Sequence, residues 1–187
     1  MFLINSAPAA AKLTGSAAGS AVFALSSNPA KACILTVPGS GKLEGIPFNV
    51  RASGNIVVTG SVSPTAAFVL QSGTSLTFAS NTSLLTGAAN TATTTVNLPW
   101  CLDVEITGTT AAGTVSGNGV VQVGASTPAF INLATPLSGL VFSPTLQGGP
   151  DATTTPNEPV LSLVMGVTIG GTVSAYTAIL NQFILEA

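Results

Sequence analysis

The sequence predicts an all-β protein: an antiparallel β-sandwich of jelly-roll type with an extended N-terminal arm. Three observations carry this reading. Short runs rich in β-branched residues alternate apolar and polar side chains, which is the period of a strand with one buried face. Clusters of Gly, Pro or Asn punctuate those runs every 8 to 12 residues or so, the spacing of a sandwich built from short strands. No stretch holds a helical period.

The alternation marks strands at 31–37, 43–52, 55–60, 66–71, 75–79, 93–98, 101–108, 113–123, 139–142, 160–169 and 174–185. Two segments differ. Residues 1–30 hold small side chains and little that alternates, and 143–159 is a Pro-, Gly- and Thr-rich loop too long for a plain hairpin. The expected organisation is therefore an arm over 1–30 followed by a sandwich domain over 31–187.

The strongest element is C-terminal. Two apolar-rich runs flank Gly170-Gly171, a pair suited to the positive φ angles of a tight hairpin turn. Pairing Ile169 with Thr172 and counting outward puts Leu161, Leu163, Met165, Val167, Ile169, Tyr176, Ala178 and Leu180 on one face, the candidate core. The opposite face carries Ser162, Val164, Thr168, Thr177, Ile179, Asn181 and Phe183. That mixture is too apolar for plain solvent exposure and too hydroxylated for a dry interior, so either a second contact surface or another part of the same chain covers it. Ile179, Asn181 and Phe183 are candidate interface residues.

Leu102, Val104 and Ile106 alternate with Asp103, Glu105 and Thr107, a strand with one core face and one wet face. Trp100, the sole tryptophan, stands at its start. It reads as a plug at the end of the sandwich or as a contact platform, and is kept among the candidate interface residues. Asn118-Gly119 is a further hairpin signal.

Composition then narrows function. The chain has 187 residues, four Lys plus Arg, six Asp plus Glu and no His; 5% is charged and 46% hydrophobic. A typical soluble domain is about one quarter charged. Four basic residues cannot build the cationic surface that replaces phosphate counterions, so nucleic acid is not an expected partner. Without His, Ser-His-Asp and Cys-His nucleophile activation and most zinc sites are lost. No run approaches the roughly 18 apolar residues of a spanning helix, and neither a membrane nor a secretory signal is expected. Synthesis in the cytoplasm is expected, with Cys33 and Cys101 as two small buried thiols.

Local motifs add no chemistry. Asp103 and Glu105 lie two apart on one strand face, about 6 to 7 Å apart, but catalytic carboxylate pairs flank a substrate and rarely come from one strand. No DxDxDG spacing supports calcium at these residues or at Asp151 and Glu158. Ser40 and Lys42 in PGSGKLE lack the spacing of a phosphate loop, since Leu43 follows the lysine. An enzyme, a cofactor and a metal are all unexpected. All four basic residues, Lys12, Lys31, Lys42 and Arg51, fall in the first 51 positions, and every charge beyond them is acidic. An arm reaching onto an acidic neighbouring subunit would account for this, as would chance in so small a number; Lys12 and Lys31 are candidate interface residues on the first account.

FNVRASGNIVVTG (48–60), LPWCLDVEITGT (98–109) and TIGGTVSAYTAILNQFILEA (168–187) resemble the small jelly-roll decoration, or cement, proteins of tailed bacteriophage capsids. The resemblance implies a structural virion protein on the capsid exterior, often a trimer, which holds adjacent capsomers together through the major capsid protein. Low charge fits such a role, because buried unpaired charges cost several kcal/mol each, whereas Ser, Thr and Asn are satisfied by neighbouring backbone. A phage fibre or adhesin module that binds a host glycan is the alternative, and a major shell or tail-tube subunit the next.

Overall fold

The computed structural model describes residues 3–6, 11–37, 47–87, 90–91, 97–108, 115–124, 129–133 and 161–186. Its described strands are β1 (Leu3–Ser6), β2 (Ala11–Gly15), β3 (Gly19–Val22), β4 (Ala24–Leu25), β5 (Asn28–Ala32), β6 (Ile34–Val37), β7 (Pro47–Ser72), β8 (Thr82–Thr86), β9 (Asn90–Thr91), β10 (Leu98–Gly108), β11 (Val115–Val123), β12 (Ala129–Leu133) and β13 (Leu161–Glu186). Among the described residues the one helical element is a 3-10 turn at Phe78–Ser80. The protein is all-β and antiparallel, the class expected from the alternation. Expected strands at 93–98 and 139–142 lie largely outside the described residues, as do Ser40, Lys42 and the 143–159 loop.

Two strands of 26 residues each, β7 and β13, form the backbone of the fold. They pair along nearly their whole length, from Asn49 opposite Glu186 to Ser72 opposite Leu163. They are also sharply bent. Trp100 is paired with Gly54 at one end of β7, and Phe68 lies fourteen positions further along, which a straight strand would place about 46 Å away. Yet the two rings stack with centroids 3.9 Å apart and planes at 16°. The long ladder therefore doubles over, and its two halves become facing layers.

The first layer holds β1 and β2, the C-terminal half of β13, the N-terminal half of β7, then β10, β11 and β12; the second holds β3 and β6, the N-terminal half of β13, the C-terminal half of β7, then β8 and β9. β1 touches β6 on one side and β8 touches β12 on the other, so the curled sheet nearly closes on itself. The core lies between the layers. Val50, Ala52, Ile56, Leu102, Val104, Ile106, Ala178 and Leu180 point inward from the first layer, and Phe68, Leu70, Leu85, Leu163, Met165, Val167 and Ile169 from the second.

Gly170-Gly171 is not a hairpin turn. β13 passes straight through it, and Thr172 pairs with Val62 of β7 rather than with Ile169. The register slips at three steps between Gly170 and Ala175, and Gly171 takes φ 81°, the left-handed geometry that glycine supplies at a bulge. A slip of one residue reverses which side chains face inward. A two-residue turn produces the same reversal, which is why the face assigned from sequence coincides with the buried set: Leu163, Met165, Val167, Ile169, Tyr176, Ala178 and Leu180 are all buried. The side chain of Leu161 lies outside the described set.

The N-terminal arm is also corrected. β1, β2, β3 and β6 each pair with a successive stretch of β13, at 184–186, 176–180, 166–169 and 161–164. The described residues 3–6 and 11–37 thus lay successive short strands along the outer edge of β13, with β4 and β5 as a small excursion. Their weak alternation reflects interruption, not extension away from the domain. Asn118-Gly119 lies inside β11, opposite Glu105 and Val104, where a Cβ on Gly119 would meet Val104 and the Asp103 carbonyl. Residues 75–79, expected as a strand, form a loop that leads into the 3-10 turn.

Candidate functional site

The outer faces of the two layers differ in composition and cover. On the first layer, the register sets Glu186, Asn49, Glu105 and Asn118 in one cross-strand row over β13, β7, β10 and β11, and Ile184, Arg51, Asp103 and Val120 in the next. Asp103 and Glu105 are exposed and Asn49, Arg51, Val120, Ile184 and Glu186 half-buried, so no part of the described chain lies over this face. Arg51 joins three strands: its Nε is 3.0 Å from Asp103 Oδ2 and its Nη1 2.9 Å from Glu186 Oε2. The Asp103–Glu105 pair is therefore broken electrostatically, since Asp103 is neutralised by Arg51 and Glu105 has no ion-pair partner among the described residues. Six charged residues are described in this fold, and five of them, Lys12, Arg51, Asp103, Glu105 and Glu186, stand on this one face.

On the second layer the outer face is covered around Val164 and Gly166. Val164, Val69 and Gln71, all pointing away from the main core, are buried. The cover is the loop after β7. Gln71 Nε2 donates to the Phe78 carbonyl at 3.2 Å and to Ser83 Oγ at 3.3 Å, and its Oε1 accepts from Asn81 Nδ2 at 3.3 Å. Asn81 donates in turn to the Ser75 carbonyl and accepts from the Ser75 N–H. This network holds Phe78 over Gly166, where a Cβ would be 2.7 Å from the ring. Val22, Ala32 and Val164 form a small second core there with Ile34, Leu76 and Phe78 packed against it. Between the loop and the β4–β5 excursion lies an open groove of about 370 Å³, lined by Leu25, Ala32, Ile34 and Leu76, with Thr74 and Lys31 also on its walls. Lys31 is exposed and is the only charged group there.

The candidate interface residues do not form one site. Lys12 is exposed on the first layer and Lys31 on the β4–β5 excursion, Asn181 is exposed and Ile179 half-buried. Trp100 is a correction: it is 2% exposed, with Phe68 stacked on its ring and its Nε1–H donated to the Ile179 carbonyl at 3.1 Å. Gly54 makes this possible, because a Cβ there would meet both that carbonyl and the indole nitrogen. Phe183 is a second correction. The slip between Leu180 and Gln182 reverses the faces once more, so Phe183 and Leu185 turn inward and are 1% exposed each while Asn181 is left outside.

The two cysteines are not joined in a disulfide. Cys33 is buried, and desolvation pushes its thiol up to about 11, which keeps it protonated and inert. Cys101, expected to be buried, is exposed on the outer face of β10. Burial likewise raises the Tyr176 phenol above its usual range. Among the described residues no group of three or more His, Cys, Asp or Glu could hold a metal ion, and no helix is long and apolar enough to cross a membrane.

Sequence reasoning missed the groove altogether. Its residues come from segments read as arm and strand, and only the path of the N-terminal chain along β13 brings them together. It also left Arg51 unassigned, because its carboxylates become its neighbours only once β10 and β13 flank β7. Comparison with known proteins adds no relative: no family model, no curated protein and no solved structure matches the chain.

Proposed function

We propose that this chain is a structural subunit that lies on the outside of a larger protein shell and holds neighbouring shell subunits together, as a decoration protein of a tailed-phage capsid does. In this reading the major capsid protein is its partner, a trimer is its working assembly, and it carries out no reaction. The observation that supports it is the two-sidedness of the fold. Nearly all the described charge projects from one layer, while the other presents an apolar groove with a single cation. A protein resting against a large surface needs one side that tolerates water and one that gains from leaving it.

The test is co-sedimentation of the purified chain with empty shells of the virus that encodes it, followed by heating. We expect the chain to pellet with the shells and to raise the temperature at which they come apart. A chain that stays in the supernatant would end this reading.

A second reading, a module binding a host glycan, draws on the row of Glu186, Asn49 and Glu105, since carboxylates and carboxamides can hydrogen-bond sugar hydroxyls. A glycan array separates the two. Specific binding that Asn49→Ala and Glu105→Ala abolish would favour the module, and an array without signal favours the structural subunit.

A further inference from the structure

The two outer faces also bear on which way round the molecule sits. We propose that the groove beside Lys31 is the surface that meets the shell, and that the shell subunit fills it with an apolar side chain flanked by a carboxylate. This rests on the structural reading above and gives it an orientation.

Charge distribution carries the inference. The outer face of the first layer holds Lys12, Arg51, Asp103, Glu105 and Glu186. Covering it would strip water from five charged groups, of which only Arg51 and its two carboxylates are ion-paired, Glu186 Oε2 being already buried without a hydrogen-bond partner among the described residues, and desolvation of the rest would cost several kcal/mol for each charge left unpaired. The groove has the opposite character. Leu25, Ile34 and Leu76 are half-buried on its walls and gain from full burial, and Lys31 is exposed with no ion-pair partner among the described residues. A long lysine stem can lie along an apolar wall while its ammonium meets a carboxylate at the rim. Binding energy concentrates where an anchor side chain fills a well-packed pocket from which surrounding contacts exclude water, and a charge at the margin acts chiefly on specificity and encounter rate. The groove is also supported from below, since the Gln71–Asn81–Ser75 network fixes the loop that bears Thr74 and Leu76.

The two sides carry built-in reporters. Lys31 stands on the groove side, whereas Lys12 and Cys101 are exposed on the other; Cys33 is fully buried and serves as an internal blank. The chain, free and pelleted on empty shells, is treated with an amine-acylating reagent and, separately, with a thiol-alkylating reagent, and the modified positions are read by mass spectrometry. We expect acylation of Lys31 to fall severalfold on the shell while Lys12 and Cys101 react as they do in the free chain. Lys31→Glu should weaken pelleting severalfold, and Glu105→Lys should leave it unchanged with the chain still folded. Undiminished labelling of Lys31 on the shell would overturn the orientation, and so would protection of Lys12 and Cys101, alone or together with Lys31; in either case the structural reading would survive. A parent chain that never pellets removes that reading and the orientation together.

Discussion

In the layer built on the C-terminal half of β13, Ile179, Ile184 and Val120 remain half-exposed on the outer face, whereas in the layer built on its N-terminal half Val164, Val69 and Gln71 at equivalent positions are fully buried. β13 runs through both layers, so the difference does not come from the ladder. It comes from the eight-residue stretch from Thr74 to Asn81, which a buried Gln71 holds against one half and not the other. A sheet face is therefore assigned to water or to protein by what else the chain lays on it. Alternation within the strand records that decision only where nothing is laid.

The sharpest way to break this contrast is to put a charge on each side of the covered half. Met165→Asp, in the main core, and Val164→Asp, on the outer face beneath the loop, should each destabilise the protein by several kcal/mol, because both would bury a carboxylate without a partner. Urea unfolding measures both. A Val164→Asp protein as stable as its parent would show that the loop does not seal that face. A smaller effect is expected from the loop's own anchor: Asn81→Ala leaves the Gln71 carbonyl oxygen and the Ser75 N–H unsatisfied and should cost about 1–3 kcal/mol. The open half should be the most tolerant. Arg51→Ala removes two ion pairs at a face where the arginine side chain is 40% exposed, and its effect on the urea midpoint should correspond to no more than about 1 kcal/mol. A larger loss would mean that Arg51 clamps β13, β7 and β10 as a unit.

The strand class and much of the core were legible because burial on one face imposes a period of two. Leu102, Val104 and Ile106 could be assigned with no knowledge of their partners, and all three are buried. What stayed hidden was continuity. Gly54 and Gly60 look like punctuation between strands, yet they lie within β7, where a Cβ would run into carbonyl groups of β13. Glycine for a turn and glycine for close approach are written identically. Phe183 was misplaced for a related reason, since the slip before Gln182 is a property of the pairing and leaves no mark in the residues themselves. Trp100 was ambiguous because a large aromatic side chain suits an end plug and a platform equally well; its hydrogen bond to the Ile179 carbonyl decides the matter. The groove and the charged face were least legible, because each gathers residues from parts of the chain far apart in sequence.

The unbroken passage of β7 and β13 from one layer into the other has a mechanical consequence. In a sandwich whose sheets meet only through loops, a tensile load can part the sheets by straining flexible connections. Here the load would travel along two extended polypeptide backbones that cross the fold side by side, and yielding would require many rungs between them to shear at once. A molecule built this way resists being prised open.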